Sequence, residues 1–423
     1  MHYEDSAEFA ARLDSEDPLA GFRDRFEFPG ERGGRRVVYL CGNSLGLQPK
    51  LAAQYVTEEL AEWAERGVEG HFEAARPWVS YQRHATGALA ALTGAKPSEV
   101  VAMNTLTVNL HLLMTSFYRP AGSRRRIVIE STAFPSDRYA VASQIRMRGH
   151  DPDEDLLAWQ PRDDEILYID DLAALLEREG ERTALLLLPG VQYYSGQVLD
   201  MPGICALARE HGCRVGFDLA HAIGNIELDL HEWGPDFAAW CSYKYLNAGP
   251  GAIAGAFVHE RHLAPGKVDQ LHGWWGNDEA TRFQMRDDFD PAPGAEAFQL
   301  SCPPVLSFAP MLASLEIFSE AGLPQLVDKS QRLTGYLEWL IKRRCGDRIG
   351  VITPADARGC QLSLVVTDKD VEPRQVFRKL TELNVIGDWR EPDVIRIAPA
   401  PLYNSYGDVF ECAERLQLAL DTT

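Results

Sequence analysis

Two residues near the middle of the chain are placed to do chemistry together, Asp218 and Lys244. The stretch around them reads VGFDLAHAIGNIELDLHEWGPDFAAWCSYKYLNAGPG, residues 215–251. Its two apolar runs, VGF and DFAAWCSY, close on Asp218 and on Lys244 respectively. Short apolar runs that end in a charge and are bounded by Gly, Pro and Asn predict buried strands of an α/β sheet. Ligands of such sheets sit at the carboxyl ends of the strands, so the acid and the amine are expected to face one crevice. Either residue alone would be read as an ordinary surface charge. Together they suit pyridoxal 5′-phosphate: a lysine amine holds the cofactor, and a carboxylate pairs with its ring nitrogen so that the ring accepts electrons. His221, in Asp-Leu-Ala-His, is placed to stack on a flat ring.

The elements needed to position that pair are present on both sides of it. A strand at 100–103 is followed by the polar turn 104–107 and the helical run VNLHLLMTSFY. Strand, turn and helix form an anion site, because free N–H groups and the helix dipole point at the turn. Leu106 and Thr107 are therefore expected at a phosphate, although Asn104 or Thr105 would also serve as a plain helix cap. A strand at 127–130 leads into Phe134-Pro135-Ser136-Asp137. Phe134 can stack on the cofactor or pack in the core, and Ser136 or Asp137 can cap a helix at 138–147. Residues 149–165, rich in Asp and Pro, are expected to form a surface loop. The run 184–188 is wholly apolar and should be a central parallel strand. Strands and helices alternate to about residue 259 and no G-x-G-x-x-G follows a strand. The expected fold is α/β, a mostly parallel sheet of the seven-stranded type with helices on both faces, plus a smaller α+β domain. The expected divisions are 1–48, packing with the small domain; 49–310, the large cofactor-binding domain; and 311–423, a linker helix and the small domain. Arg396 lies inside the apolar strand VIRIA. A buried arginine is costly unless paired, and a bidentate carboxylate suits it, from a ligand or from a structural salt bridge.

Composition limits the class of partner. The chain has 423 residues, a formal net charge of −20 and 45% hydrophobic residues. An acidic surface of this kind disfavours nucleic acid and anionic membrane. Eight cysteines without a C-x-x-C pair predict neither a disulfide framework nor a zinc site, so no metal is expected. No run approaches the ~20 apolar residues of a membrane span, and the start MHYEDSAEF lacks an apolar signal core; a cytoplasmic location is expected.

Five segments carry a family resemblance: CGNSLGL (41–47), AFPSD (133–137), FDLAHAIGN (217–225), WCSYKYLNAGPG (240–251) and APLYNS (400–405). They resemble kynureninase, a fold-type-I pyridoxal-phosphate hydrolase, from about Asn43 to the C-terminus. The resemblance implies hydrolysis of L-kynurenine or 3-hydroxy-L-kynurenine to the anthranilate and L-alanine, by a homodimer with shared active sites. It implies Lys244 as cofactor lysine and base, Asp218 at the ring nitrogen, and Tyr243 at the phosphate and in proton relay. Phe134, Pro135, Ser136, Asp137 and His221 would contact the cofactor. Trp274 would reach the phosphate from the partner subunit, and Cys302 stands where Asn or Thr is common. Asn43 and Ser44 would lie near the substrate, His71 would favour the hydroxylated substrate, and Arg396 would hold the amino-acid carboxylate. Pro189 is a second departure, from an expected Ser or Thr. Alternatives left open are a ring-substituted substrate, an aminotransferase or cysteine desulfurase on the same scaffold, and a cofactor-binding regulator without turnover.

Overall fold

Strand Thr183–Pro189 lies in the middle of the main sheet because its run of leucines can be buried on both faces. The computed structural model describes residues 2–423. Numbering the strands of this sheet along the chain gives β1 (Val100–Ala102), β2 (Arg126–Glu130), β3 (Leu156–Trp159), β4 (Thr183–Pro189), β5 (Arg214–Asp218), β6 (Phe237–Trp240) and β7 (Gly255–Val258). Their spatial order is β1-β7-β6-β5-β4-β2-β3. All neighbours from β6 to β3 run parallel, and β7 runs antiparallel to β1 and β6. Pro189 stands opposite Asp218, and Asp218 opposite Ala239, so β4, β5 and β6 end at one edge.

Successive residues of a strand point to opposite faces, and the core divides accordingly. Leu186, Leu188, Phe217 and Trp240 pack on one side with Phe308 and Leu315 of helix Val305–Ala321. Ile127, Ile129, Leu185, Leu187 and Phe237 pack on the other with α1 (Leu106–Phe117) and α2 (Pro135–Met147). A separate core joins Phe9, Leu13, Val38 and Leu40 to Leu333, Leu337, Leu364, Ile397 and Leu416. It covers a four-stranded antiparallel sheet made of Ile349–Val351, Leu362–Val366, Val394–Ile397 and Asp388–Arg390, in that order. No single helix is long and apolar enough to cross a membrane among the described residues.

Three expectations about elements are corrected. The stretch 149–165 is not all loop: LLAW within it is edge strand β3, paired in parallel with β2. The strand before Lys244 stops at Trp240, so the lysine stands in the following loop rather than at a strand end. Helix α2 starts at Pro135, whose fixed φ suits a first turn; Ser136 and Asp137 are therefore inside it, and the N-cap position falls to Phe134.

Candidate active site

The carboxyl edge of the sheet holds a cavity lined by Lys244, Asp218, His221, Tyr243, Leu106, Thr107, Phe134, Ser136 and Asp137. These nine were expected at a cofactor. Five are placed by element ends: Asp218 closes β5, Leu106 and Thr107 open α1, and Ser136 and Asp137 lie in the first turn of α2. The loop carrying Lys244 is fixed from the N-terminal side, where the Gly46 N–H donates to the Tyr243 carbonyl over 2.9 Å. A side chain at Gly46 would collide with the backbone of Lys244 and Asn247, which accounts for glycine in the CGNSLGL segment.

The amine of Lys244 lies 5.9 Å from the Phe134 ring centre and 6.0 Å from that of Tyr243, and it makes no ion pair among the described residues. Asp218 accepts the Ala220 N–H at 2.7 Å, which aims its carboxylate. Asp137 is buried in the same lining, and burial, then the Asp218 charge, push its carboxyl well above the ordinary range. His221 is buried, and its Nδ1 has no partner. Desolvation and then the Lys244 charge push this imidazole well below its ordinary range, so it is neutral. Across the cavity, Thr107 Oγ1 and Ser136 Oγ meet at 2.7 Å. No side chain caps the start of α1, so its first N–H groups remain available to an anion.

Pyridoxal phosphate fits this donor set. A free amine faces an acid, an unpartnered neutral imidazole and an unpartnered Asp137 Oδ1 await a ligand, and an uncapped helix start lies beside two hydroxyls.

The other expected residues are not in the lining. Pro135 opens α2 behind it. Asn43 is buried and its Nδ2 donates to Gln361 Oε1 at 3.2 Å; Ser44 follows it, half-buried. Arg396 is fully buried on the small-domain side. Its guanidinium donates to Asp388 Oδ2 at 2.5 Å and to the Tyr193 carbonyl at 2.8 Å, leaving Nε unpaired. The internal salt-bridge partner is thus present, and the Tyr193 backbone links Arg396 to the cavity. His71 lies elsewhere in its chain, with Nδ1 3.1 Å from the Val68 carbonyl and its ring 5.2 Å from that of Trp78. Trp274 is also outside, donating to the Arg282 carbonyl at 3.0 Å, and Cys302 is exposed.

Sequence reasoning missed Glu130, Tyr193, Val191, Thr105 and Ala220 in the lining. Glu130 ends β2 after the apolar run IVI, the same signal that marks Asp218, so it was available. Tyr193 stands in the loop after β4, its ring edge-on to Phe134 at 5.2 Å. That loop is shaped from a distance: Gln361 donates to the Tyr193 carbonyl at 3.0 Å and Ser363 to that of Tyr194 at 2.5 Å. Pro189 also lines the cavity, supplying wall and no hydroxyl.

One cluster of metal-ligating types, Glu99, His231 and His259, lies at the opposite edge of the sheet. Its atoms are already engaged: Glu99 accepts from the Lys96 and Glu260 N–H groups and bonds His231 Nδ1, while His259 Nδ1 accepts the Arg261 N–H.

Known proteins share these features. Residues 326–416 match the family model described as kynureninase C-terminal domain. The kynureninase of Myxococcus xanthus is 52% identical over 418 residues, 98% of this chain and 97% of the relative. That of Koribacter versatilis is 50% identical over 416 residues, 98% of this chain and 97% of the relative. Among solved structures, a C-DES mutant with glycine covalently linked to the PLP cofactor aligns with a TM-score of 0.78 at 19% identity, over 93% of this chain and 98% of that one. The cysteine desulfurase CsdA of Escherichia coli aligns at 0.76 and 17% identity, over 96% and 98%. The solved structures establish fold type I of the pyridoxal-phosphate enzymes. Half of the residues are identical to a curated kynureninase along almost the whole of both chains, and the amine, acid and anion cradle lie together in the fold; the chain belongs to the kynureninase family.

Proposed function

We propose that the protein hydrolyses L-kynurenine, 3-hydroxy-L-kynurenine or both to the corresponding anthranilate and L-alanine, with pyridoxal phosphate held on Lys244. The observation that carries this reading is the joint exposure of Lys244 and Asp218 to one cavity whose far wall is an uncapped helix start. When bound, the cofactor draws electrons from the substrate's Cα, which makes the Cα–H and then the Cβ–Cγ bond breakable. Lys244, released by the incoming amino acid, takes the Cα proton as general base. Asp218 holds the proton on the ring nitrogen. His221 and Phe134 supply flat contacts to the ring, and neutrality lets His221 do so without opposing the ring's positive charge. The α1 N–H groups, Thr107, Ser136 and the Tyr243 phenol would hold the phosphate, and Tyr243 would relay a proton at Cγ as water adds to that carbonyl; the Cβ–Cγ bond of the hydrate then breaks, the anthranilate leaves as the acid, and the electron pair left on Cβ takes a proton to complete L-alanine. Arg396 takes the substrate carboxylate, with Asn43 and Ser44 beside it.

A homodimer with shared sites belongs to the same reading. His71, Trp274 and Cys302 do not reach the cavity of their own chain, and they are assigned to the cavity of a partner. Support comes from an apolar surface around two of them: Phe72, Trp274 and Phe283 are 57%, 50% and 44% exposed, and Phe283 lies 5.4 Å from each of the other two rings. The grouping of the N-terminal segment with the small domain is supported by the separate core that joins Phe9, Leu13, Val38 and Leu40 to the C-terminal sheet, whereas a division at 310/311 falls inside helix Val305–Ala321, whose Leu312, Leu315 and Phe318 pack in the large-domain core. Eight free cysteines suit a reducing cytoplasm. The deciding assay incubates the protein with kynurenine, 3-hydroxykynurenine and a ring-methylated analogue and follows the anthranilates and alanine. A higher kcat/KM for the hydroxylated substrate is expected, from a His71 hydrogen bond to its phenol. Formation of pyridoxamine phosphate with a keto acid, or sulfide release from cysteine, in place of anthranilate would overturn the reading.

A further inference from the structure

Three carboxylates, Glu130, Asp137 and Asp218, line the same small cavity as a single amine, Lys244. All three are buried, with 4%, 8% and 8% of their surface exposed. The remaining titratable groups facing Glu130 are the neutral imidazole of His221 and the phenols of Tyr193 and Tyr243. β3 on one side of β2 offers Trp159 opposite Glu130, and β4 on the other is apolar, so neither strand brings a cation. Glu130 forms no ion pair among the described residues. Three ionised carboxylates would then share one ammonium in a pocket that also receives an anionic phosphate. Adjacent buried carboxylates resolve such a conflict by keeping protons.

Resting on the pyridoxal-phosphate reading for its role, we propose that Glu130 is a positioning residue kept as a neutral carboxylic acid, which with protonated Asp137 leaves Asp218 as the one anionic carboxylate facing the cofactor's ring nitrogen. The geometry divides the labour. Asp137, in the first turn of α2, lines the cavity with Asp218 and is raised by its charge, while Glu130 ends β2, separated from β5 by β4, and acts through the charge it withholds. Burial first, then the Asp218 charge, raise the Glu130 carboxyl from 4.5 to about 8. The cavity thus keeps its proton count through neutral pH and loses it on the alkaline side.

The test begins with cofactor-stripped protein. The infrared difference spectrum of native protein minus Glu130→Gln is expected to show the carbonyl stretch of a carboxylic acid at neutral pH, replaced by carboxylate bands as pH rises through about 8. Carboxylate bands at neutral pH would overturn the proposal. The second measurement is pyridoxal phosphate affinity by absorbance titration. The native dissociation constant should rise on the order of tenfold or more across that window as the pocket gains a charge, and the Glu130→Gln constant should lack that rise. A native affinity that stays flat through the window overturns the proposal without reference to any variant. A native protein that takes up no pyridoxal phosphate defeats the cofactor reading instead, and the infrared bands still decide the protonation of Glu130.

Discussion

Arg396 offers the sharpest test of how the small domain meets the site. Its side chain is fully buried, and its carboxylate partner is Asp388, directly across the sheet on the neighbouring strand, with N–O 2.5 Å. Asp388 also receives Arg390 at 3.0 Å, but that guanidinium is 32% exposed and adds at most about 1 kcal/mol. Replacing Asp388 with Ala leaves the Arg396 charge buried without compensation, a situation that costs about 3–5 kcal/mol. With a urea slope of about 2–3 kcal/mol/M, the midpoint should fall by roughly 1–2 M. Arg396→Met in the same background removes the stranded charge and should recover most of that loss. The Tyr193 carbonyl that Arg396 served still accepts from Gln361 at 3.0 Å, so no new unpaired group is created. The double variant should fold and bind pyridoxal phosphate yet turn over no amino acid, as the proposed role of Arg396 in holding the substrate carboxylate requires. A loss below about 1 kcal/mol in Asp388→Ala, or strictly additive losses in the double variant, would refute the account of a buried, mutually dependent pair.

Lys244→Ala should remove the absorbance of lysine-bound cofactor and all measurable turnover while leaving the circular dichroism intact; substantial activity would refute its assignment. Thr107→Val breaks the 2.7 Å hydroxyl pair with Ser136 and deletes one proposed donor to the phosphate. A hydrogen bond to a charged group is worth about 1.5–3 kcal/mol, so the cofactor dissociation constant should rise at least about tenfold, measured by titration of the apoprotein. Asp236 provides a pH test far from the cavity. Burial opposes its ionisation, but His262 at 2.7 Å, the Val215 N–H, Arg261 and Arg214 prevail and lower its carboxyl from 3.8 to about 2. A depressed carboxyl adds stability that is complete above the unfolded value and lost as pH falls through the folded one. The shift corresponds to about 2.5 kcal/mol. Native protein should therefore lose about that much between pH 3.8 and about 2, and Asp236→Asn should lose it at neutral pH and show no such slope, as followed by denaturant titration at each pH.

The parts of the site that were legible in the sequence share a physical cause. Asp218 ends an apolar run that is a buried strand, and Lys244 stands in the loop just after another, so the parallel sheet brings both to one edge. The same logic covers Leu106 and Thr107, where a polar turn opens an apolar helix. It also covers Glu130, which ends the apolar run of β2. The features that could not be read depend on contacts between distant segments. Tyr193 faces the cavity only because Gln361, Ser363 and Arg396 hold its loop from the second sheet. Strand β3 is four residues inside an acidic stretch, and it is a strand because β2 offers an open edge with Glu130 opposite Trp159. Arg396 shows the limit most directly. Its burial is expected from VIRIA, but whether its partner is a substrate or the protein depends on register, which puts Asp388 opposite it. With NH2 on Asp388, NH1 on Tyr193 and Nε unpaired, the guanidinium is held in one orientation. The internal salt bridge therefore leaves one donor, Nε, for the substrate carboxylate proposed to bind there. Asp388 is the group that keeps that donor fixed, and the proposed carboxylate anchor depends on it.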